Sequence, residues 1–497
     1  MGRQAHTIPH MDRFDSMFRA SLETAFDQAL EYLEGLNQRP VGARVDAATL
    51  RDRLNRGLTE EGVAPERVIS ELAADVEGGL VGSSGGRFFA WVIGGSLPAA
   101  LAADWLTSTW DQNAVLYAAS PAAAVVEEVV GAWLKEILGL PSAASFALVS
   151  GCQMAHATCL AAARQALLAE RGWSVEERGM YGAPPIRIIS SDQRHGSFER
   201  ALRLLGLGQS CVQYLRAGPQ GALPADALER ALEEGPPAPT FVLLQAGEIN
   251  TGAFDSFQEL VPISRRYGAW VHVDGAFGLW AAASGQYRHL LDGVAMADSW
   301  ATDGHKWLNV PFDCGYAFIL NAAAHRAVMS YRAPYLTHGA DVRDEMDWNP
   351  EWSRRARGFP TYAALRQLGR AGLASLVENC CRHAHSLVTR IGGLRGAEVV
   401  REPTLNQGLV RFLDMKLQAS EEDHDRRTDE VIAAIVASGE AFFGGTSWRR
   451  RRAMRVSVCS WRTSDEDVDR VVDWFSRMLN SAGPVRDGGS PVPRVND

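Results

Sequence analysis

Apolar positions recur at helical spacing along the first part of the chain. In MDRFDSMFRASLETAFDQALEYLEGL, Phe14, Phe18, Leu22, Phe26, Leu30 and Leu33 fall on one face of a helix. Residues 11 to 75 are predicted helical and amphipathic, with a break at NQRPVG. GSSGGRF (82–88) reads as a loop and places a boundary near 85 to 95. Beyond it the pattern changes. SFALVS (145–150), IRIIS (186–190), TFVLLQAG (240–247), AWVHVDGA (269–276), SWATD (299–303) and YAFIL (316–320) are short, nearly continuous apolar runs. Helical stretches such as QMAHATCLAAARQALLAERG and FQELVPISRRYG lie between them. This alternation predicts an α/β domain with a mostly parallel sheet covered by helices on both faces.

From about residue 385 the texture shifts to helical HSLVTRIGGL, strand-like LNQGLVRFL, helical RRTDEVIAAIVAS, strand-like AMRVSVCSW and helical DEDVDRVVDWFSRML. The expected division is an N-terminal helical segment over 1–90, a large domain over 91–384, a small α+β domain over 385–480 and a Pro/Gly/Ser-rich tail over 481–497, predicted disordered. No internal repeat is found.

Composition narrows the function classes. The chain has 46% hydrophobic and 22% charged residues, as ordinary globular proteins do, and a net charge of -9. That charge argues against nucleic acid as a partner. The basic cluster Arg449 to Arg452 is short and reads as a solvated turn. The seven cysteines contain no C-x-x-C pair, so neither a zinc ribbon nor a disulfide framework is expected, and no metal site is predicted. MGRQAHTIPHMDRFD lacks an apolar leader, and with reduced thiols this points to the cytoplasm. FFAWVIGGSLPAALAADW is interrupted by Gly94, Gly95, Pro98 and Asp104, so no membrane span is expected.

Four motifs fall where parallel strands should end, the place where such folds bind ligands. LVSGCQMAHA is strand, turn and helix start: Gly151, Cys152 and Gln153 form either a plain connection or an anion seat at a helix N-terminus. SSDQRHGSFERA places His195 just after a strand. AWVHVDGAFG ends in Asp274, a backbone cap or a fixed negative charge, followed by Gly275 and Ala276. ATDGHKWLN carries Lys306 inside an apolar run, 32 positions after Asp274. Lysine is costly to bury as an ammonium ion but useful if it can condense with a carbonyl. Lysine, carboxylate and anion seat together suit pyridoxal 5'-phosphate, which needs an amine for its aldehyde, a carboxylate for its ring nitrogen and donors for its phosphate.

HVDGAFG, SDQRHGSFERA and TDGHKWLNVPFDCG resemble the pyridoxal-phosphate-dependent group II amino-acid decarboxylases, over roughly residues 80 to 480. The resemblance implies the fold type I of these enzymes, like aspartate aminotransferase, and loss of the α-carboxylate of an L-amino acid as carbon dioxide, through an external aldimine and a quinonoid, to give an amine. It implies that Lys306 carries the cofactor, His305 lies near the phosphate, Asp274 partners the ring nitrogen, and Ala276 and His195 cover the two ring faces. It places Gly151, Cys152 and Gln153 at the phosphate turn and makes Tyr335 the loop residue that protonates Cα; Tyr331, four residues earlier, is a second candidate by its position alone. Arg354, or Arg355 beside it, falls where the family has an arginine near the substrate carboxylate. The resemblance further implies a homodimer whose active sites are completed across the interface. The substrate pocket then falls on GGRFFAWVIGGSLP, where Phe88, Phe89 and Trp91 suit an aromatic side chain and Arg87 an acidic one.

The sequence departs from the family at Cys152 and Gln153, at Asp303 where an asparagine is usual, and at Ile249 where a threonine is expected, leaving Asn250 or Thr251 to replace it. A carboxylate beside a phosphate would repel it, so Asp303 is expected to turn away from it toward a backbone partner. The rival readings are a decarboxylating aldehyde synthase, against which Tyr335 argues, an aminotransferase, and a non-catalytic scaffold, against which the intact Lys306, Asp274 and His195 argue.

Overall fold

The computed structural model describes residues 14–331 and 342–481. The N-terminal segment folds as α1 (Phe14–Gly35), α2 (Ala47–Leu54) and α3 (Pro65–Val76), with α1 packed against α3. The apolar stripe of α1 is only partly covered: Phe18, Leu22 and Phe26 are half or more exposed. Helices α4 (Pro98–Trp110) and α5 (Pro121–Ile137) each begin at proline, whose missing N–H costs nothing in a first turn.

The large domain runs β1 (Ser145–Val149), α6 (Cys152–Ala169), α7 (Val175–Arg178), β2 (Arg187–Ser191), α8 (Gly196–Leu204), β3 (Val212–Leu215), α9 (Ala225–Glu234), β4 (Thr240–Gln245), α10 (Phe257–Arg266), β5 (Trp270–Asp274), β6 (Ser299–Asp303), β7 (Gly315–Ile319) and α11 (Ala322–Met329). The sheet order is β1-β7-β6-β5-β4-β2-β3. β7 runs antiparallel to both its neighbours, and the pairs from β6 to β3 are parallel. Strands β1, β4, β5, β6 and β7 are buried throughout, which is why they read as unbroken apolar runs. One face packs Ala155, Leu160, Phe198, Phe241 and Trp270 around α6 and α8. The other packs Val242, Leu244, Val271, Val273 and Trp300 against α10 and α12 (Gly358–Gly392).

Helix α12 is broken at Gly369, whose φ of 59° only glycine adopts easily. It runs through residue 385, so the expected domain boundary falls inside a helix. The small domain follows as β8 (Ala397–Arg401), β9 (Gln407–Phe412), α13 (Glu421–Ser438), β10 (Gly444–Trp448), β11 (Arg451–Ser457) and α14 (Asp465–Ser481), with an antiparallel sheet in the order β10-β11-β9-β8. The basic cluster divides. Arg449 and Arg450 form the β10–β11 turn with left-handed backbones, while Arg451 and Arg452 belong to β11 and pair with Glu421 and Asp429.

The N-terminal segment is stitched to this small sheet. Phe89 N–H donates to Phe442 O at 2.8 Å, and Ser457 N–H donates to Phe89 O at 3.0 Å. All seven cysteines are free thiols. Among the described residues, no helix is long and apolar enough to cross a membrane.

Candidate active site

The carboxyl ends of β1, β5 and β6 converge on Lys306. Asp274 ends β5 opposite Ala301 of β6, and β6 ends at Asp303, three residues before the lysine. The Lys306 loop is pinned from both sides. Asn309, with a φ of 55°, donates through Nδ2 to Trp307 O at 2.8 Å and Cys459 O at 3.0 Å, and accepts from Trp461 N–H at 3.0 Å. A Cβ on Gly94 would stand 1.8 Å from the Lys306 carbonyl oxygen, so only glycine permits this approach.

Lys306 Nζ lies 3.2 Å from Asp303 Oδ2. Burial would lower the lysine pKa, but the charges of Asp303 and Asp274 outweigh it and hold the amine above its ordinary value. Asp303 takes a backbone partner but does not turn away from the phosphate seat: its Oδ1 accepts the Cys152 N–H at 2.6 Å. That N–H belongs to the first turn of α6, the anion seat itself. Gly151, the N-cap, has no side chain to cap the helix, and a Cβ there would sit 3.1 Å from the His305 ring. His305 Nδ1 accepts the Cys314 N–H at 3.1 Å, so in the neutral ring Nε2 bears the proton; that nitrogen lies 3.6 Å from Asp303 Oδ1. Burial keeps the His305 pKa below its ordinary value.

Asp274 is buried, with Oδ1 accepting the Ala276 N–H at 3.1 Å and Oδ2 facing His156 Nε2 at 3.4 Å. Burial opposes its ionisation, yet the His156, His195 and Lys306 charges prevail and hold it well below the usual carboxylate range. His195 caps α8, bonding Ser197 Oγ at 2.8 Å through Nδ1, and its ring is open to the cleft. Desolvation, then the Lys306 charge, lower its pKa. A lysine amine, an ionised buried carboxylate, a helix start with one N–H taken by Asp303 and a neutral histidine donor thus face one cleft, and they fit pyridoxal 5'-phosphate. Sγ of Cys152, with ligand atoms of His156 and Asp274, falls within a 4.8 Å cluster. Burial and the two aspartates hold the thiol well above its ordinary pKa.

Several expected residues do other work. Arg354 is fully buried, donating to Glu127 Oε2 at 2.7 Å with Glu345 at 3.9 Å, so its guanidinium is engaged away from any substrate carboxylate. Arg355 pairs with Asp104. Phe88 stacks on Phe442 with ring centroids 5.0 Å apart, and Phe89 packs on Phe443 at 5.1 Å; both are core, not pocket wall. Trp91, by contrast, is 53% exposed. Arg87 is buried, with donors committed to Asn37 O, Arg39 O and Glu440 O, and so is no receptor for an acidic side chain. Thr251 donates to Glu248 Oε2 at 2.8 Å and receives the Ala253 N–H, which makes it a turn cap rather than a cofactor contact. Tyr335 lies outside the described residues; Tyr331 is exposed, with its ring against Trp352.

Sequence reasoning missed three residues. His156 contacts Asp274, yet reads as a core histidine in a helix of small residues. Gln245 ends β4 opposite Asp274, buried with its Nε2 unpartnered. Arg455 of β11 brings a small-domain charge to bear on His195.

Comparison with known proteins agrees with this geometry. An aromatic-L-amino-acid decarboxylase from Bacillus atrophaeus is 26% identical over 455 residues, 90% of this chain and 92% of that protein. A 4-hydroxyphenylacetaldehyde synthase from Rhodiola rosea is 26% identical over 453 residues, 90% of this chain and 91% of that protein. Among solved structures, Oryza sativa TDC with PLP and tryptamine superposes with a TM-score of 0.87 at 24% identity, covering 96% of this chain and 100% of that one, which shows a shared fold. The conserved-domain model of the pyridoxal-dependent decarboxylases matches residues 49–413. The chain therefore belongs to the pyridoxal-dependent decarboxylase family, and is a carboxy-lyase that works with pyridoxal 5'-phosphate.

Proposed function

We propose that the enzyme removes the α-carboxylate of an aromatic L-amino acid and releases the amine, working as a homodimer in the cytoplasm. The observation that carries the substrate reading is the contrast at residues 87–91: the arginine that could receive an acidic side chain is locked into backbone carbonyls, while Trp91 is exposed. The names of the Bacillus atrophaeus and Rhodiola rosea relatives support the same class. The uncovered stripe of Phe18, Leu22 and Phe26 supports a second copy as partner, and the free thiols support a reducing compartment.

In this reading pyridoxal phosphate supplies an electron sink for the bond that breaks at Cα. Lys306 provides the amine that tethers it, and Asp274 keeps the proton on its ring nitrogen. The first turn of α6 and the His305 Nε2–H receive the phosphate. His195 covers one ring face and Ala276, small enough to admit the ring, the other. Tyr335 delivers a proton to Cα once carbon dioxide has left. Measuring carbon dioxide and amine from a panel of amino acids tests the assignment. Turnover confined to acidic substrates, or peroxide and aldehyde in place of amine, would overturn it.

A further inference from the structure

Asp274 terminates a line of buried polar side chains that this chemistry leaves unused. Trp270 Nε1 donates to Ser299 Oγ at 2.9 Å, and Ser299 Oγ lies 2.9 Å from His272 Nδ1. His272 Nε2 lies 2.9 Å from His156 Nδ1, and His156 Nε2 lies 3.4 Å from Asp274 Oδ2. His156, His272 and Ser299 have no exposed surface. The ring edges of Phe198 and His272 set the His156 plane, at interplanar angles of 89° and 82°.

A proton inventory gives this line a direction. A neutral imidazole has one N–H and one lone pair. Ser299 Oγ already accepts from Trp270, so its own proton is free to reach His272 Nδ1. His272 Nε2 then donates to His156 Nδ1, and the remaining proton of His156 sits on Nε2, toward Asp274. If the His272 tautomer is reversed, His156 donates through Nδ1 and its Nε2 becomes an acceptor, with the Cys152 thiol at 3.5 Å as the donor in reach. Only the first arrangement aims an N–H at Asp274, and the carboxylate 3.4 Å from Nε2 favours it over one that turns a lone pair toward it. The other groups facing that carboxylate are the Ala276 N–H and the Cys152 Sγ at 3.8 Å, with His195 and Lys306 acting through charge.

We propose that His156 is a positioning residue: aligned by His272 and Ser299, it holds the Asp274 carboxylate ionised and oriented toward the cofactor's ring nitrogen. The proposal rests on the Asp274 pairing given above. Without this donor, burial would drive Asp274 toward its neutral form, and the ring nitrogen would lose the anion that keeps its proton.

The test compares pyridoxal phosphate with its ring-carbon analogue, in which CH replaces the ring nitrogen, by fluorescence titration of the cofactor-free protein. Asp274→Ala should lose the preference for the nitrogen-bearing form; if wild type and Asp274→Ala bind the two equally, the Asp274 pairing itself is wrong. Given that preference, His156→Leu should weaken pyridoxal phosphate by about tenfold, the order of one lost charge-assisted hydrogen bond, and leave the analogue within about twofold. His156→Gln, whose amide can still donate, should recover most of the difference. Equal weakening of both ligands by His156→Leu would reduce His156 to a packing residue. Should His156→Leu not fold, imidazole N–H resonances of wild-type protein labelled with 15N-histidine carry the test. The signal missing from His156→Gln must differ between the two ligands, and an unchanged signal overturns the proposal.

Discussion

Asp303 places one carboxylate oxygen on the Cys152 N–H at 2.6 Å and the other 3.2 Å from the Lys306 amine, so a single side chain touches both the helix start and the lysine. The carboxylate occupies part of the seat assigned to the phosphate. At about 4 Å and an effective dielectric near 20, two like charges repel by about 4 kcal/mol, so the cofactor binds against this charge. Asp303→Asn keeps an acceptor for Cys152 and removes the charge. It should tighten pyridoxal phosphate by roughly tenfold, a fraction of that repulsion, in titrations of the cofactor-free protein. Weaker binding would mean that the carboxylate serves chiefly to present Lys306.

Lys306 is expected to be the residue labelled when the holoenzyme is reduced with borohydride and its peptides are mapped. Lys306→Ala should abolish turnover and retain the fold, since it removes one cleft-facing side chain that leans on Asp303. Label on another lysine would move the tether elsewhere.

The Glu127–Arg354–Glu345 cluster makes stability fall toward neutral pH. Burial drives the Glu127 pKa up to about 7, even against the Arg354 charge. Between the ordinary carboxylate value and about 7 the folded state holds a proton that the unfolded state has released, so stability declines as pH rises through that window. Denaturant melts of wild type and Glu127→Gln should diverge in that direction, with the glutamine variant flatter. Arg354→Met, which leaves Glu127 buried without its cation while Glu345 keeps Arg343, should cost about 3–5 kcal/mol. A loss of substrate affinity without any loss of stability would return Arg354 to the substrate site.

Tyr335→Phe should still release carbon dioxide while diverting product from amine to aldehyde, ammonia and peroxide, because Cα then meets oxygen before a proton. On either side of its segment, Tyr331 lies against Trp352, and Arg343 bonds Glu345 and the Phe146 carbonyl. Amine formed at the wild-type rate, with no aldehyde, would assign the proton to another group.

Much of this was legible in sequence because burial on both faces writes itself as an unbroken apolar run. The strands ending at Asp274 and Asp303 were placed to within two residues, and the H-x-D and H-K-W patterns led directly to the cleft. β3 was missed because VQYL is a half-exposed edge strand with no apolar run. Arg354 was misread for another reason. A motif carries a residue type but not its partner, and Glu127 stands 227 positions earlier. His156 escaped likewise, its neighbour His272 being 116 positions away. Phe88 and Phe89 looked like pocket residues because an apolar stretch near a ligand and an apolar stretch in a core are written in the same letters.

The main-chain bonds of Phe89 to Phe442 and Ser457 have a mechanical consequence. Backbone hydrogen bonds tolerate only a fraction of an ångström of stretch before they fail, so the segment around Phe89 and the small domain form one lever. Any swing of the small domain on filling the cleft drags that segment with it, and Trp91 rides two residues away. The link between Trp91 and Pro98 is itself bonded to the Lys306 loop, through Leu97 N–H to Asn309 O at 2.8 Å, so such a swing would be felt there as well.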